Sequence, residues 1–283
     1  MSRRRIKIYE VGPRDGLQNL EQFVATEKKR EFIQSLRKAG FKNIEVTSFV
    51  HPRYVPQMAD AEEVFDGQGA VLVMNQRGMD RALAAGATYF NIVFSPSETF
   101  NQSNLGCDLE TAVERYEQML KDIPKDNVRV YLSCFFGCPT EGELHHRLLH
   151  RVTDIASRLG NTVVFCDTVG VASSQDMSFV GALCHVYDIN PALHLHVKEG
   201  RIEHALSLVR HAMHFGINEF DSSMGGLGGC PFVADSPGNL PTESLILWAE
   251  ARNIDCGISS EDIADALYLA RDIKVGQRKL LLS

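Results

Sequence analysis

Two histidines one residue apart, His194 and His196 in ALHLH (192–196), are the first candidates for chemistry. In an extended strand alternate side chains share a face, so both imidazoles point the same way. Two neutral imidazoles facing one space suit a divalent metal. A carboxylate to complete such a site stands in VGPRDGLQN (11–19), where Gly12, Pro13 and Gly16 punctuate a turn carrying Arg14 and Asp15. Asp15 with His194 and His196 is a mixed oxygen and nitrogen set without a thiolate. It fits Mg²⁺ or Mn²⁺ acting as a Lewis acid and does not bar zinc. Asn239 adds a neutral oxygen ligand if the turn-rich stretch DSSMGGLGGCPFVADSPGNLPTE (221–243) folds over the same place.

Glu45 lies between Ile44 and Val46, so alternation turns Glu45 and Thr47 away from those aliphatic neighbours. A carboxylate on an inward face is costly without a partner, and Arg14 is the evident one. Glu10, four residues before Arg14, points into the same region. His145, His146 and His150 sit in a polar helical stretch without acidic ligands at matching positions, and read as surface residues.

These residues need a scaffold that brings distant segments together. Apolar, β-branched runs occur at 6–10, 43–47, 70–74, 89–94, 127–133, 162–166, 192–196 and 218–222, with amphipathic patterns between them. Such spacing is that of repeated βα units. TEKKREFIQSLRKAG (26–40) offers Thr26 as N-cap, Phe32, Ile33 and Leu36 on one face, and Gly40 as a stop. RIEHALSLVRHAMHFG (201–216) follows suit, with Ile202, Ala205, Leu206 and Val209 in register. Eight such units predict a (β/α)₈ TIM barrel with a C-terminal catalytic loop and terminal helices, the open doubly wound sheet being the alternative. No linker divides the chain, so 1–283 reads as one domain. A barrel puts its active site at the C-terminal ends of its strands, where the residues named above fall.

The 283 residues carry 36 acids against 29 bases, a formal charge of −7, which argues against nucleic-acid binding. No apolar run reaches the length of a membrane span, and the start, MSRRRIKIYEVG, lacks the apolar core of a secretory signal. Seven scattered cysteines do not form a disulfide framework, so a reducing cytoplasm is expected.

VGPRDGLQN (11–19), IEVTSFVHPRYVPQMAD (44–60), CDTVG (166–170), HLH (194–196) and GLGGCPFVADSPGN (226–239) together resemble the 3-hydroxy-3-methylglutaryl-CoA lyase family of metal-dependent TIM-barrel lyases. The resemblance spans nearly the whole chain. It implies Asp15, His194, His196 and Asn239 as metal ligands and Arg14 as the group stabilising an enolate oxygen. It makes Cys230 a catalytic residue on a mobile loop. Glu45 and Glu243 would orient partners or relay protons, and Asp167 would lie near the substrate hydroxyl. The implied substrate is a small-molecule acyl-CoA, with coenzyme A as part of it and Mg²⁺ or Mn²⁺ as cofactor. Such barrels often pair, so a homodimer is the assembly to test.

The chain departs from the family pattern after its histidines. An Asp-Thr-x-Gly run is usual there, whereas HVKEGR (196–201) brings Lys198 and Glu199 and a segment about three residues longer. That difference keeps a longer branched 3-hydroxyglutaryl-CoA in play as substrate. A condensing acyltransferase and a non-catalytic metal-binding barrel are the readings from other classes.

Overall fold

The computed structural model describes residues 4–229 and 237–278. Eight strands alternate with helices from the first residues onward: β1 (Lys7–Glu10), α1 (Thr26–Lys38), β2 (Glu45–Ser48), the single turn α2 (Ala61–Val64), β3 (Ala70–Leu72) and α3 (Gln76–Ala84). There follow β4 (Tyr89–Phe94), α4 (Glu98–Leu105), α5 (Leu109–Met119), β5 (Val128–Leu132), α6 (His146–Leu159), β6 (Thr162–Asp167) and α7 (Ser174–Tyr187). The chain continues through β7 (Asn190–Val197), α8 (Ile202–His214), β8 (Glu219–Ser222), a two-residue β9 (Gly238–Asn239), α9 (Thr242–Glu250) and α10 (Ala264–Arg278).

All eight long strands pair in parallel in the order β1-β8-β7-β6-β5-β4-β3-β2. A bridge between Glu10 and Ile44, with the Glu10 N–H donating to the Asn43 carbonyl at 2.9 Å, brings β1 back to β2. This is the expected TIM barrel, nearly closed. No helix among the described residues is long and apolar enough to cross a membrane.

The division of labour between the barrel's two faces follows from alternation along each strand. One continuous apolar core, including Phe32, Ile33, Leu36, Val46, Phe90, Ile92, Val130, Val163, Leu193 and Phe220, joins strands to helices. Inside the barrel the apolar content shrinks to small separate clusters such as Tyr131, Val164, Cys166 and Ala192. The remaining interior is polar. Arg129 of β5 reaches Asp221 of β8 and lies 3.8 Å from the Tyr9 ring centre, contacts only inward-pointing side chains on non-adjacent strands can make.

Two local expectations are revised. Thr26 is the first residue within α1 and Ala25 its N-cap; the Thr26 hydroxyl donates to Asp60 at 2.8 Å instead of to its own helix. After β4 two helices stand where one was expected, because Gly106 in a left-handed conformation ends α4 and Asp108 caps a fresh start for α5.

Glu10 ties the closure of the barrel to the segments that follow β8. Fully buried, it accepts from the Gly12 and Met224 N–H groups, both at 2.9 Å, and from the Thr242 hydroxyl at 2.6 Å. Burial pushes its carboxyl up to about 7, the three donors notwithstanding. An acid raised from 4.5 to about 7 contributes stability that is fully present below 4.5 and lost as pH rises through about 7. Ionising Glu10 in place thus costs at most about 3 kcal/mol. Glu10→Gln, whose amide can accept from the two N–H groups and donate to the threonine, is expected to flatten the stability profile across that pH window in denaturant titrations. Glu10→Ala is expected to lose several kcal/mol at every pH, since it strands two buried N–H groups, each costing about 1–3 kcal/mol.

Candidate active site

The site begins with the turn that leaves β1. Gly12–Gly16 forms one π-helical turn with Pro13 at its start. Gly12 is required there, since a Cβ would lie 2.5 Å from the Glu10 carboxylate. The turn carries Arg14 and Asp15 across the C-terminal end of the barrel.

Arg14 is 6% exposed, so its charge must be matched by protein groups. Its Nε donates to Glu45 Oε2 at 2.7 Å, and its Nη1 to Asp15 Oδ1 at 2.9 Å and Gln18 Oε1 at 3.0 Å. Glu45 uses its other oxygen to accept from Asn91 of β4 at 2.7 Å. Burial alone would weaken protonation of Arg14, but Glu45 and then Asp15 more than offset it, and the guanidinium stays charged. Burial likewise raises Asp15, yet Arg14 and the two histidines hold its carboxyl well below the usual carboxylate range. No partner holds Nη2 of Arg14 among the described residues.

His194 and His196 face this carboxylate from β7. Their Nε2 atoms lie 3.1 Å apart, and His194 Nε2 is 3.9 Å from Asp15 Oδ2. The ligand atoms of Asp15, His194 and His196 all fall within 4.8 Å of one another. Burial, then the neighbouring His194, lowers the pKa of His196 to about 4, which keeps that ring neutral. At His194 burial also opposes charge, but the hydrogen bond to Asp221 and the charges of Asp15 and Asp221 together outweigh it and raise the pKa on balance.

Asn239 arrives from the far side of the glycine-rich loop. β9 pairs antiparallel with β7, setting Asn239 opposite His196 and Gly238 opposite Val197. Asn239 Nδ2 donates to Asp15 Oδ2 at 2.7 Å and to the Leu227 carbonyl at 2.9 Å. Gly228 (φ 124°) allows that approach, because a Cβ would sit 2.4 Å from Asn239 Nδ2. The Oδ1 atom of Asn239 is buried and has no hydrogen-bond partner.

These features fit a divalent cation. A buried amide oxygen without a partner, an ionised carboxylate and two imidazoles facing each other across one space need a positively charged occupant more than they need each other. Asp15, His194 and His196 meet around one point, and Asn239 joins them through its hydrogen bond to Asp15. Asp221 lies behind them and was not singled out from the sequence. Its Oδ2 is 3.2 Å from His194 Nδ1, while its Oδ1 accepts from Arg129 Nη2 at 2.7 Å. A carboxylate behind a ligand histidine fixes the tautomer and turns the other nitrogen's lone pair toward the metal. The position was findable: Asp221 lies within the eighth apolar run (218–222) as His194 lies within the seventh (192–196), and the two are register partners.

The remaining expected residues are spread around the rim. Both Asp167 oxygens are held by its own loop, accepting from the Val171 and Ala172 N–H groups at 2.8 and 3.0 Å, and burial raises its pKa. Glu243 accepts from the Gly225 N–H at 3.0 Å and so fixes the start of the glycine-rich loop. Asn19 donates to the Gly229 carbonyl at 3.2 Å, holding the loop to the β1 turn. Cys230 lies outside the described residues.

Comparison with known proteins gives one consistent result. A family profile described as HMGL-like matches residues 5–269. The cytoplasmic 3-hydroxy-3-methylglutaryl-CoA lyase of Rattus norvegicus is 38% identical over 277 residues, covering 92% of this chain and 79% of the relative. The hydroxymethylglutaryl-CoA lyase YngG of Bacillus subtilis is 36% identical over 275 residues, covering 93% and 91%. Among solved structures, a hydroxymethylglutaryl-CoA lyase from Pseudomonas aeruginosa superposes with a TM-score of 0.88 at 31% identity, covering 99% of this chain and 98% of that one. An HMG-CoA lyase from Acinetobacter baumannii in complex with coenzyme A and 3-methylmalate gives 0.85 at 31% identity, covering 96% and 91%.

Asp221→Asn is expected to weaken Mn²⁺ binding about 10–100-fold in calorimetric titration, the usual effect of losing a carboxylate behind a ligand histidine. An unchanged affinity in a folded variant would remove Asp221 from the support of the site.

Proposed function

This chain belongs to the HMGL-like family, and on that premise we propose that it is a carbon–carbon lyase cleaving 3-hydroxy-3-methylglutaryl-CoA to acetyl-CoA and acetoacetate. We read 1–283 as one lyase domain. The observation that carries the reading is the convergence of Asp15, His194, His196 and the partnerless Asn239 Oδ1 beside a buried Arg14. A bound Mg²⁺ or Mn²⁺ would supply Lewis acidity toward the substrate's oxygens, lowering the pKa of the 3-hydroxyl.

The chain's own groups serve the enolate that a retro-aldol reaction, begun by proton loss from the 3-hydroxyl to a base, leaves behind. Removal of the hydroxyl proton lets the C–O electrons form a ketone as the adjacent C–C bond breaks, and that bond's electrons pass into a thioester enolate. Arg14 is positioned for the enolate oxygen: its Nε and Nη1 are fixed by Glu45, Asp15 and Gln18, and Nη2 remains to donate. A donor preset in a water-poor site is worth about 10²–10³ in rate. Cys230, on the loop between Gly229 and Asn239, is proposed to protonate the enolate carbon and give the methyl of acetyl-CoA. Glu243 and Asn19 fix Gly225 and Gly229 before Cys230 in the sequence, and β9 fixes Gly238 and Asn239 after it. Asp167 acts through its loop, since both its oxygens are engaged there. The six described cysteines are free thiols, in keeping with a cytoplasmic location.

Purified protein given 3-hydroxy-3-methylglutaryl-CoA and Mg²⁺ or Mn²⁺ is expected to release acetoacetate, and EDTA to stop it. Longer branched 3-hydroxyglutaryl-CoAs belong in the same assay, because Lys198 sits in the segment that departs from the family pattern. No cleavage of any of them by metal-loaded protein would end the lyase reading. Cys230→Ser is expected to lose roughly 10²–10³ in kcat while binding Mn²⁺ as before, and an unchanged rate would exclude Cys230 from the proton transfer.

A further inference from the structure

At the other end of the barrel lies a cleft of about 810 Å³ that the lyase reaction does not use. Arg4 leads into β1, and α8 ends at His214 just before β8, so the cleft opens at the N-terminal ends of the strands, across the barrel from Asp15 and His194. Its lining includes Arg4, Arg210, Arg252, His211, His214 and Trp248, and no acidic side chain. In a chain of net charge −7, three arginines around one space whose lining holds no acid form a local field of opposite sign.

We propose that this cleft binds a nucleotide, taking the phosphates on its arginines and the base against its aromatic floor. α8 and α9 both end here, and cations complement helix C-termini. That role accounts for part of the lining: the Nδ1 atoms of His211 and His214 are each 2.7 Å from a carbonyl of their own helix, those of Ser207 and Arg210. It does not account for Arg4, which is on no helix, or for Arg4 and Arg210 forming no ion pair among the described residues. Three guanidinium forks around one cleft match the bidentate geometry of phosphate oxygens. Arg252 is already oriented, its guanidinium 5.0 Å from the Trp248 ring centre and its Nη1 3.3 Å from the Trp248 carbonyl. Trp248 is buried beneath the cleft, while Phe215, also in the lining, is 45% exposed and offers the apolar face against which a base can lie.

Trp248 is the only tryptophan in the sequence, so its fluorescence reports on this cleft and not on the catalytic end. Titration of the full chain with ADP is expected to change its emission saturably, with pyrophosphate binding more weakly and adenosine hardly at all. Arg210→Gln and, separately, Arg252→Gln are each expected to weaken ADP binding about tenfold or more, the loss of one charge-assisted contact, with acyl-CoA cleavage unchanged. Competition by coenzyme A would identify its adenosine diphosphate end as the source of the ligand; failure to compete would identify a free nucleotide. No saturable response to millimolar ADP, or equal affinity in folded arginine variants, would overturn the proposal.

Discussion

A buried guanidinium sets the terms for the catalytic end of this barrel. Arg14 is almost wholly shielded from water, and an arginine cannot escape burial by shedding its proton. Carboxylates must come to it, and they come from different places: Asp15 from the same turn, Glu45 from β2. Glu45, now buried as well, needs its second oxygen satisfied and takes the amide of Asn91 on β4. One charge therefore fixes the relative positions of three βα units. Such a cluster is a poor source of stability, because desolvation consumes most of the Coulomb attraction. Its value is geometric: Asp15 is held ionised, and one edge of the guanidinium is left for a ligand.

The same logic runs through the barrel's interior on a second cation. Arg129 lies against Tyr9 and pairs with Asp221, and Asp221 meets His194. The histidine's outer nitrogen is thereby oriented from beneath by a chain of contacts crossing from β5 to β8 to β7. An interior built this way gives up much of the apolar packing that usually fills a barrel of this size. Cohesion falls instead to the layer between strands and helices, where Phe32, Phe90, Ile92 and Phe220 are essentially inaccessible. Stability and chemistry are thus placed on opposite faces of the same strands, which is why alternation along each strand is so informative here.

How far the sequence could be read depends on whether a residue's role is set locally. His194 and His196 share a face by strand period alone, and Glu45 is betrayed as inward-facing by its aliphatic neighbours, so both were legible. Asp15 and Arg14 were legible because glycine and proline mark their turn. Arg129 was not, since its meaning lies in contacts between strands that are not neighbours in sequence or in the sheet, and Asp221 shows its role only once the register of β7 and β8 sets it beside His194. Asn239 was legible only on the condition that its segment folds over the site: the two-residue strand that delivers it is invisible within a turn-rich stretch. Thr26 shows the reverse error, for a residue with ideal capping chemistry was drawn to a tertiary partner, Asp60, and left the cap to Ala25.

The altered stretch after the histidines shows how a chain can diverge beside such a site without disturbing it. His196 and Val197 are the last residues of β7, and each is paired with β9. Backbone pairing is indifferent to the side chain, so valine at 197 can stand where the family usually has aspartate while Asn239 stays opposite His196. Beyond Val197 nothing ties the chain to the ligand set. Lys198 is exposed, and its charge offsets part of the rise that burial imposes on the pKa of Asp167, the residue that shapes the neighbouring loop. Gly200 has a positive φ of 73° and empty space where a Cβ would be, so the added residues are absorbed outward before α8 begins. Variation placed there leaves the pairing of β7 with β9 and the grouping of Asp15, His194 and His196 intact.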